Sequence, residues 1–328
     1  MAKAEFLNGA EAATALASAV VGRGKGLFQP LRISVVIPHL NQPVLLARCL
    51  ASLKAGNRQP DEIIVVDNGS RELPHAVCAA ETGVRLLQDR TPGPGPARNT
   101  GVNASQGEIL AFIDADCLAD PAWLQEAEAA MRDPAVTILG GDVRIAAADA
   151  SRLSSVEAYE SIYAYRMDRY ITRENFTGTG NLVVRRSVID KVGPFAGLAV
   201  AEDRDWGQRA TALGFSIRYV PGMRVYHPAR ENISELEVKW DRHIAHEYVE
   251  VCAKPRGLLR FVVKTLAMTP SILTELPRIL ASDRISGAGN RWRACTGLAR
   301  IRLHRARRMV WLAMGGDPAL LFGAWNRG

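Results

Sequence analysis

Ile109-Leu-Ala-Phe-Ile113-Asp114-Ala-Asp116 sets five apolar residues directly against two carboxylates. An uninterrupted apolar run of this length, preceded by Gly107 and stopped by Asp, describes a strand buried on both faces. Such strands belong to parallel sheets covered by helices rather than to one-sided antiparallel sheets. Three earlier runs have the same character: Ile33-Ser-Val-Val-Ile37, Ile63-Ile-Val-Val66 and Val84-Arg-Leu-Leu87. Between them lie helical stretches. Pro43 opens one in which Leu46, Leu50 and Leu53 recur at i, i+4 and i+7, and another runs from Pro94 and Pro96 through Arg98 to Ala104. Strand and helix in alternation mean βαβ units, so the fold class is α/β, with a mostly parallel sheet and helices on both faces.

Ligands of such sheets bind at the carboxyl ends of the strands. The residues there are Pro38, Asp67 and the pair Asp114/Asp116. Two carboxylates at i and i+2 after a buried strand can converge on one divalent cation, and Mg²⁺ or Mn²⁺ takes one or two carboxylates and fills its shell with water and phosphate oxygens. The same two residues also suit a solvated turn. Asp67, in Asp67-Asn-Gly-Ser70, can accept a hydrogen bond from a base or ribose, or it can cap a following helix.

Downstream, the sequence predicts a helix from Leu153 to Tyr170, a strand Asn181-Leu-Val-Val-Arg185 after the turn Thr177-Gly-Thr-Gly180, and a helix from Ala201 to Leu213 opening with Glu202-Asp203. A strand from Ser216 to Val220 leads towards His227. From about residue 230 the chain reads as helical, basic and amphipathic. The composition, 48% hydrophobic and 23% charged over 328 residues, excludes wholesale disorder and collagen-like structure. The net charge of +7 is unevenly placed: 24 basic against 25 acidic residues up to position 227, and 17 against 9 beyond it. A neutral body therefore carries a C-terminal region of +8. Nucleic acid is not the expected partner, because no recognition motif accompanies the charge.

Taken in order, the motifs resemble those of the family 2 glycosyltransferases of GT-A fold, of the bacterial surface-polysaccharide type. They are Ser34-Val-Val-Ile-Pro38, Val65-Val-Asp67-Asn-Gly-Ser70, Gly95-Pro-Ala-Arg98-Asn99-Thr-Gly101, Ala111-Phe-Ile-Asp114-Ala-Asp116, Thr177-Gly-Thr-Gly180-Asn181, Val192-Gly-Pro-Phe195, Glu202-Asp203-Arg-Asp205 and Val225-Tyr-His227. The resemblance covers roughly residues 32–228. It implies a GT-A catalytic domain at 32–229, with a nucleotide-binding half at about 32–116 and an acceptor half at about 117–229. An N-terminal extension, 1–31, precedes it and a helical basic region, 230–328, follows.

The resemblance further implies that Pro38 and Asp67 line the nucleotide pocket, Asp67 reading the base, and that Arg98 sits over the nucleotide or diphosphate. Asp114 faces the ribose and sugar, and Asp116 binds Mg²⁺ or Mn²⁺ with His227 as an additional contact. Asp203 is the catalytic base. Gly180, Asn181, Glu202 and Trp206 lie on the acceptor side. The donor is then a nucleotide-diphosphate sugar, a UDP-sugar being the expected one. The reaction is inverting transfer of a single sugar to a hydroxyl of a glycan or lipid-linked saccharide.

Two departures stand out. The second motif has Asn68 where Asp is commoner, and the Gln-x-x-Arg-Trp motif of processive members is absent, since Ala288 stands three before Arg291-Trp292. The rival readings are a sugar-phosphate nucleotidyltransferase, which calls for a Gly-rich basic loop where Pro38-His-Leu-Asn41 stands, and a non-catalytic membrane-associated scaffold.

The apolar stretch Ala12 to Val21 follows Glu5 and Glu11 and precedes Arg23 and Lys25, the reverse of the charge order of a secretory signal. The five cysteines form no CxxC pair. Both readings point to a cytoplasmic location. Residues 291–308 carry seven arginines and no acid, interleaved with Trp292, Leu298, Ile301 and Leu303. They fit an interfacial helix on an anionic membrane, peripheral on the inner face of the cytoplasmic membrane, and equally a helical subdomain packed on the catalytic domain.

Overall fold

The computed structural model describes residues 31–198 and 200–321. The stretch Ala12 to Val21 and the last residues of the tail lie outside that range.

The first half follows the sequence closely. Strand β1 (Ile33–His39) is followed by helix α1 (Pro43–Lys54), β2 (Glu62–Asp67), the short α2 (His75–Ala79), β3 (Val84–Gln88), α3 (Pro94–Ala104) and β4 (Ile109–Ile113). These four strands are parallel, in the order β3-β2-β1-β4. Alternation along β4 divides the core into two layers: Ile109, Ala111 and Ile113 pack with Leu46, Leu50 and Leu53 of α1, while Leu110 and Phe112 pack on the opposite face with Val102 of α3. Gly101 lets α3 approach β1, since a Cβ there would lie 2.3 Å from Val36 Cγ1.

Beyond β4 the sheet becomes mixed. After β5 (Leu118–Ala119) and α4 (Trp123–Met131) come β6 (Ile138–Ala146), α5 (Ser155–Tyr163), α6 (Met167–Glu174), β7 (Asn181–Arg185), α7 (Arg186–Val192), α8 (Glu202–Ala212) and β8 (Ile217–Pro228). The full eight-stranded order is β3-β2-β1-β4-β7-β6-β8-β5. Strand β7 runs antiparallel to β4 and β6, and β5 antiparallel to β8, while β6 and β8 are parallel, so the antiparallel pairings are confined to the second half of the sheet. His227 does not follow a strand ending at Val220, because β8, 12 residues long in all, continues past a register shift opposite Gly141/Asp142 of β6 and carries His227 within it.

The helix expected over Leu153 to Tyr170 is two helices. A capping box between Ser154 and Glu157 starts α5, and Tyr165, in the left-handed region at φ +49°, turns the chain before α6. Helical periodicity spans the break because both pieces are amphipathic.

The C-terminal region is a helical layer: α9 (Ile233–Cys252), α10 (Gly257–Met268), α11 (Ser271–Leu280) and α12 (Ala288–Ala313). Helix α12 is its centre. Leu298 and Ile301 share a core with Leu153, Val156, Tyr159 and Ile162 of the α5 segment, so the helical layer and the segment after β6 have one hydrophobic cluster in common.

Four of the seven arginines of α12 are matched from within. Arg300 pairs with Glu237, Arg302 with Glu275, and Arg308 with Asp241, while the Arg305 guanidinium lies 4.0 Å from the Trp240 ring centroid. Residues 291–308 are therefore packed into the helical layer along one face. Among the described residues no helix is long and apolar enough to cross a membrane.

A second charge cluster braces the sheet. Asp142 on β6 is fully buried and receives Arg284 Nη2 at 2.6 Å and Arg144 Nε at 2.5 Å, with Arg224 Nε at 3.5 Å.

Candidate active site

The carboxyl ends of β1 and β2 meet in a buried pair that the sequence reading did not single out. His39 and Asp67 are register partners, with Nδ1 2.9 Å from Oδ2. The Gln42 N–H donates to His39 Nε2, so the proton sits on Nδ1 and His39 donates it to Asp67. The other Asp67 oxygen accepts from the backbone N–H groups of Gly69 and Ser70. Burial acts to raise this carboxyl, but the Ser70 and His39 hydrogen bonds together hold it below the ordinary Asp value. With 1% exposure and both oxygens bonded inward, Asp67 organises the turn. The expectation that it reads the base directly does not match this closed arrangement. Pro38 lies half-buried on the rim beside it.

Asn68 accounts for the departure from the commoner motif. Its amide donates to the carbonyls of Asp89 and Thr91, at 2.9 and 2.8 Å, and accepts from the Gly93 N–H at 2.8 Å. A carboxylate has no proton to donate there. Asn68 thus fastens the segment leading into α3.

Arg98 was expected over the donor phosphates, but it points inward and is 2% exposed. One Nη donates to Asp114 Oδ1 at 2.7 Å and the other to Glu202 Oε1 at 2.8 Å, joining the end of β4 to the start of α8. Its planar fork suits this two-sided bridge. Glu202 is accordingly a positioning group rather than an open acceptor-side residue. The loop before β7 closes on the same cluster: a Cβ at Gly180 would lie 2.5 Å from Asp114 Oδ2, and one at Gly178 would lie 4.0 Å from Asp203 Oδ2. Only glycine leaves Asp114 its place beside residue 180.

Asp203, in the first turn of α8, accepts from the Arg204 N–H. Burial, and then the charge of Glu202, raise its carboxyl above the ordinary value, while the Arg204 N–H and Arg98 act in the opposite sense. A partly buried carboxyl with a raised pKa is a stronger base than a free one.

Asp116, Cys117 and His227 place one donor atom each within 4.8 Å of one another. His227 Nε2 lies 3.4 Å from Asp116 Oδ2, and its Nδ1 lies 2.6 Å from the Pro228 carbonyl. With Nδ1 protonated, Nε2 turns a lone pair to Asp116, and the Tyr165 hydroxyl is 3.1 Å away to donate to it. Burial pushes the Asp116 carboxyl up, opposed by His227 and reinforced by Asp114. The Asp116 oxygen and the His227 nitrogen fit a divalent ion, the nitrogen favouring Mn²⁺ over Mg²⁺, while burial and the neighbouring carboxylates push the Cys117 thiol well up and keep it protonated beside them. Cys117 was missed by sequence reasoning, although its place next to the Asp-Ala-Asp run was the available signal.

Two expected acceptor-side residues are structural. Asn181 is fully buried: its amide donates to the carbonyls of Asp142 and Met223 and accepts from Trp123 Nε1 at 2.8 Å, joining β6, β8 and α4. Trp206 is 1% exposed, donates to the Gly193 carbonyl and packs 5.3 Å from the Phe195 ring, so no sugar can stack on it.

Residues 34–193 match the sequence model of Glycosyl transferase family 2. Glycosyltransferase AglE of Haloferax volcanii is 32% identical over 260 residues, covering 76% of this chain and 84% of the relative. Pre-mycofactocin glycosyltransferase of Mycobacterium tuberculosis is 28% identical over 214 residues, covering 62% of this chain and 44% of the relative. Among solved structures, the mannosyltransferase PcManGT of Pyrobaculum calidifontis, in complex with GDP-Man and Mn²⁺, superposes with a TM-score of 0.53 at 17% identity. The match covers 92% of this chain and 89% of that one, a likeness of fold.

Proposed function

The chain belongs to glycosyl transferase family 2, and on that premise we propose that it is an inverting, metal-dependent enzyme that moves a single sugar from a nucleotide-diphosphate sugar to a hydroxyl of a glycan or lipid-linked saccharide. The observation that supports the reading is that Asp114 lies within electrostatic reach of two separate carboxylate centres, Asp203 in the first turn of α8 and Asp116, paired with His227, just past β4. Inversion needs this division: the acceptor hydroxyl attacks from the face opposite the departing diphosphate, so base and leaving-group site cannot coincide.

Asp203 takes the proton of the acceptor hydroxyl, and its raised pKa makes that transfer easier. Arg98 holds Asp114 and Glu202 together and oriented, and Asp114, with the more exposed carboxylate of the two, turns to the donor sugar and ribose. Asp116 and His227 would hold Mn²⁺ or Mg²⁺ with Cys117 alongside. Such a cation, when bound, neutralises charge on the nucleoside diphosphate. The Pro228 carbonyl holds the His227 proton on Nδ1, so Nε2 carries the lone pair to which the Tyr165 hydroxyl donates and which a bound cation would take instead. Transfer of one sugar rather than polymerisation agrees with Arg291, whose guanidinium donates to the Leu280 carbonyl in the helical layer. The inward-facing Asp67 supports no preference between uridine and guanosine donors.

The test is release of nucleoside diphosphate from a panel of UDP- and GDP-sugars with Mn²⁺, Mg²⁺ or chelator. Asp203→Asn should abolish transfer while retaining donor binding, and Asp116→Ala should remove the metal requirement together with activity. Full activity in chelator, or undiminished transfer by Asp203→Asn, would refute the assignment.

A further inference from the structure

Helices α10 and α11 are one helical run with a proline in its middle. Thr269 and Pro270, between them, keep right-handed helical dihedrals of −70°/−49° and −59°/−27°. Helix α10 turns Phe261, Thr265 and Met268 inward, four and three residues apart, and α11 turns in Ile279. The opposite face is apolar too. Leu259, Leu266, Leu273 and Leu280 recur every seven residues, Val263 falls between the first two, and all five are 58–72% exposed. On a helical projection they occupy about 100° of arc on the outer side. Trp292, 71% exposed, follows Arg291, whose side chain bonds the Leu280 carbonyl, so an exposed aromatic residue lies near the α11 end of the stripe. A soluble surface rarely carries so regular an outward apolar stripe without something to cover it.

Charge identifies the cover. Arg256, Arg260 and Lys264 follow one another at i, i+4 and i+8 along one flank of the stripe. Lys264 pairs with Glu247, whereas Arg256 and Arg260 have no ion pair among the described residues. Pro270 and Pro277 lie on the stripe itself, which disfavours the continuous helix pair a second copy would form through a heptad. An apolar ridge with an exposed tryptophan at one end and free guanidinium groups along one side is the pattern of a helix lying in a lipid interface.

We propose that the outer face of α10 and α11, and not the arginine-rich α12, seats this protein on an anionic lipid bilayer, with Leu259, Val263, Leu266, Leu273 and Leu280 in the acyl boundary and Arg256 and Arg260 at the headgroups. The run of about 35 Å lies parallel to the surface. The proposal deepens the transferase reading, and rests on it for its purpose, by giving a lipid-linked acceptor a place to be met. The geometry stands independently of that purpose.

The experiment is flotation of the full chain with vesicles of equimolar phosphatidylglycerol and phosphatidylcholine, and with phosphatidylcholine alone, without sugar donor. The wild type should float with the anionic vesicles. Leu266→Glu/Leu273→Glu should lower partitioning at least tenfold, and Arg256→Glu/Arg260→Glu about tenfold or more. Both substitute exposed side chains, so circular dichroism and nucleotide-sugar hydrolysis should be unchanged. Undiminished flotation of the leucine variant would overturn the proposal, as would equal flotation with phosphatidylcholine alone. A wild type that ignores vesicles but forms a dimer abolished by Leu266→Glu/Leu273→Glu would also overturn it, assigning the stripe to a second copy. Flotation uses no donor, so its failure leaves the catalytic reading intact, and failure of donor hydrolysis leaves the lipid surface intact.

Discussion

Replacing Arg98 by Met removes a buried guanidinium while keeping most of the side chain's volume. Two charge-assisted hydrogen bonds are lost, to Asp114 and Glu202, and the two carboxylates are left without their shared counter-charge. Each such bond contributes roughly 1.5–3 kcal/mol. The Asp114 side chain is 36% exposed, so water recovers part of that interaction. A net cost of about 3 kcal/mol follows, within the range for breaking a buried ion pair. It should lower the urea midpoint by on the order of 1 M.

The catalytic signature is more specific. Arg98 opposes the rise of the Asp203 pKa, so its removal raises that carboxyl further. Asp203 serves as base in its ionised form, and activity is therefore lost as pH falls through its pKa. The acidic limb of kcat/KM should move to higher pH in Arg98→Met, and back towards wild type in Arg98→Lys, which restores a charge without the fork. The measurement is the pH profile of sugar transfer at saturating metal, with urea unfolding alongside. A limb that stays in place or moves to lower pH would show that Arg98 does not act on Asp203.

Asp203→Asn should raise thermal stability while abolishing transfer, read by calorimetry and product formation. The folded state holds the Asp203 proton more tightly than the unfolded chain does, so this group's contribution is fullest below the unfolded pKa and is lost as pH rises through the raised folded value. Gly180→Ala forces Asp114 or the loop to shift, and kcat/KM should fall about a hundredfold with little change in unfolding; unaltered kinetics would mean that Asp114 need not sit where it does. Asn68→Asp loses two donations to carbonyl oxygens and should cost about 2–3 kcal/mol, with faster hydrogen exchange confined to residues 89–93. Asp142→Asn leaves Arg284 buried without its counter-charge, and a loss of roughly 3–5 kcal/mol in denaturant unfolding is expected.

The parallel half of the sheet was legible because each of its main strands is a single apolar run closed by turn formers, and β4 with its two aspartates located the rim. Strand β6 was not read, because Gly140 and Gly141 interrupt its apolar pattern. They are there for close approach: a Cβ on Gly141 would meet the Met223 carbonyl at 2.0 Å and Asn181 Nδ2 at 2.3 Å. Which residues gather at the site followed from order along the chain. The direction in which they point did not. Arg98, Asp67, Asn181 and Trp206 all turn into the protein, and that is decided by partners on other elements, such as Asp114 and Glu202, 16 and 104 residues from Arg98. His39 and Cys117 escaped notice for the complementary reason, since each acquires meaning only from the residue folded against it.

Helix α5 contributes apolar side chains to the helical layer and stops two residues short of Tyr165, whose hydroxyl steadies His227. A polypeptide shortened to end at 229 would strip the cover from Leu153, Val156, Tyr159 and Ile162, and so could not serve as a minimal enzyme. The same linkage has a second path: Arg230, just past β8, bonds Glu160 of α5, so the helical layer is tied to His227 along the chain and across it.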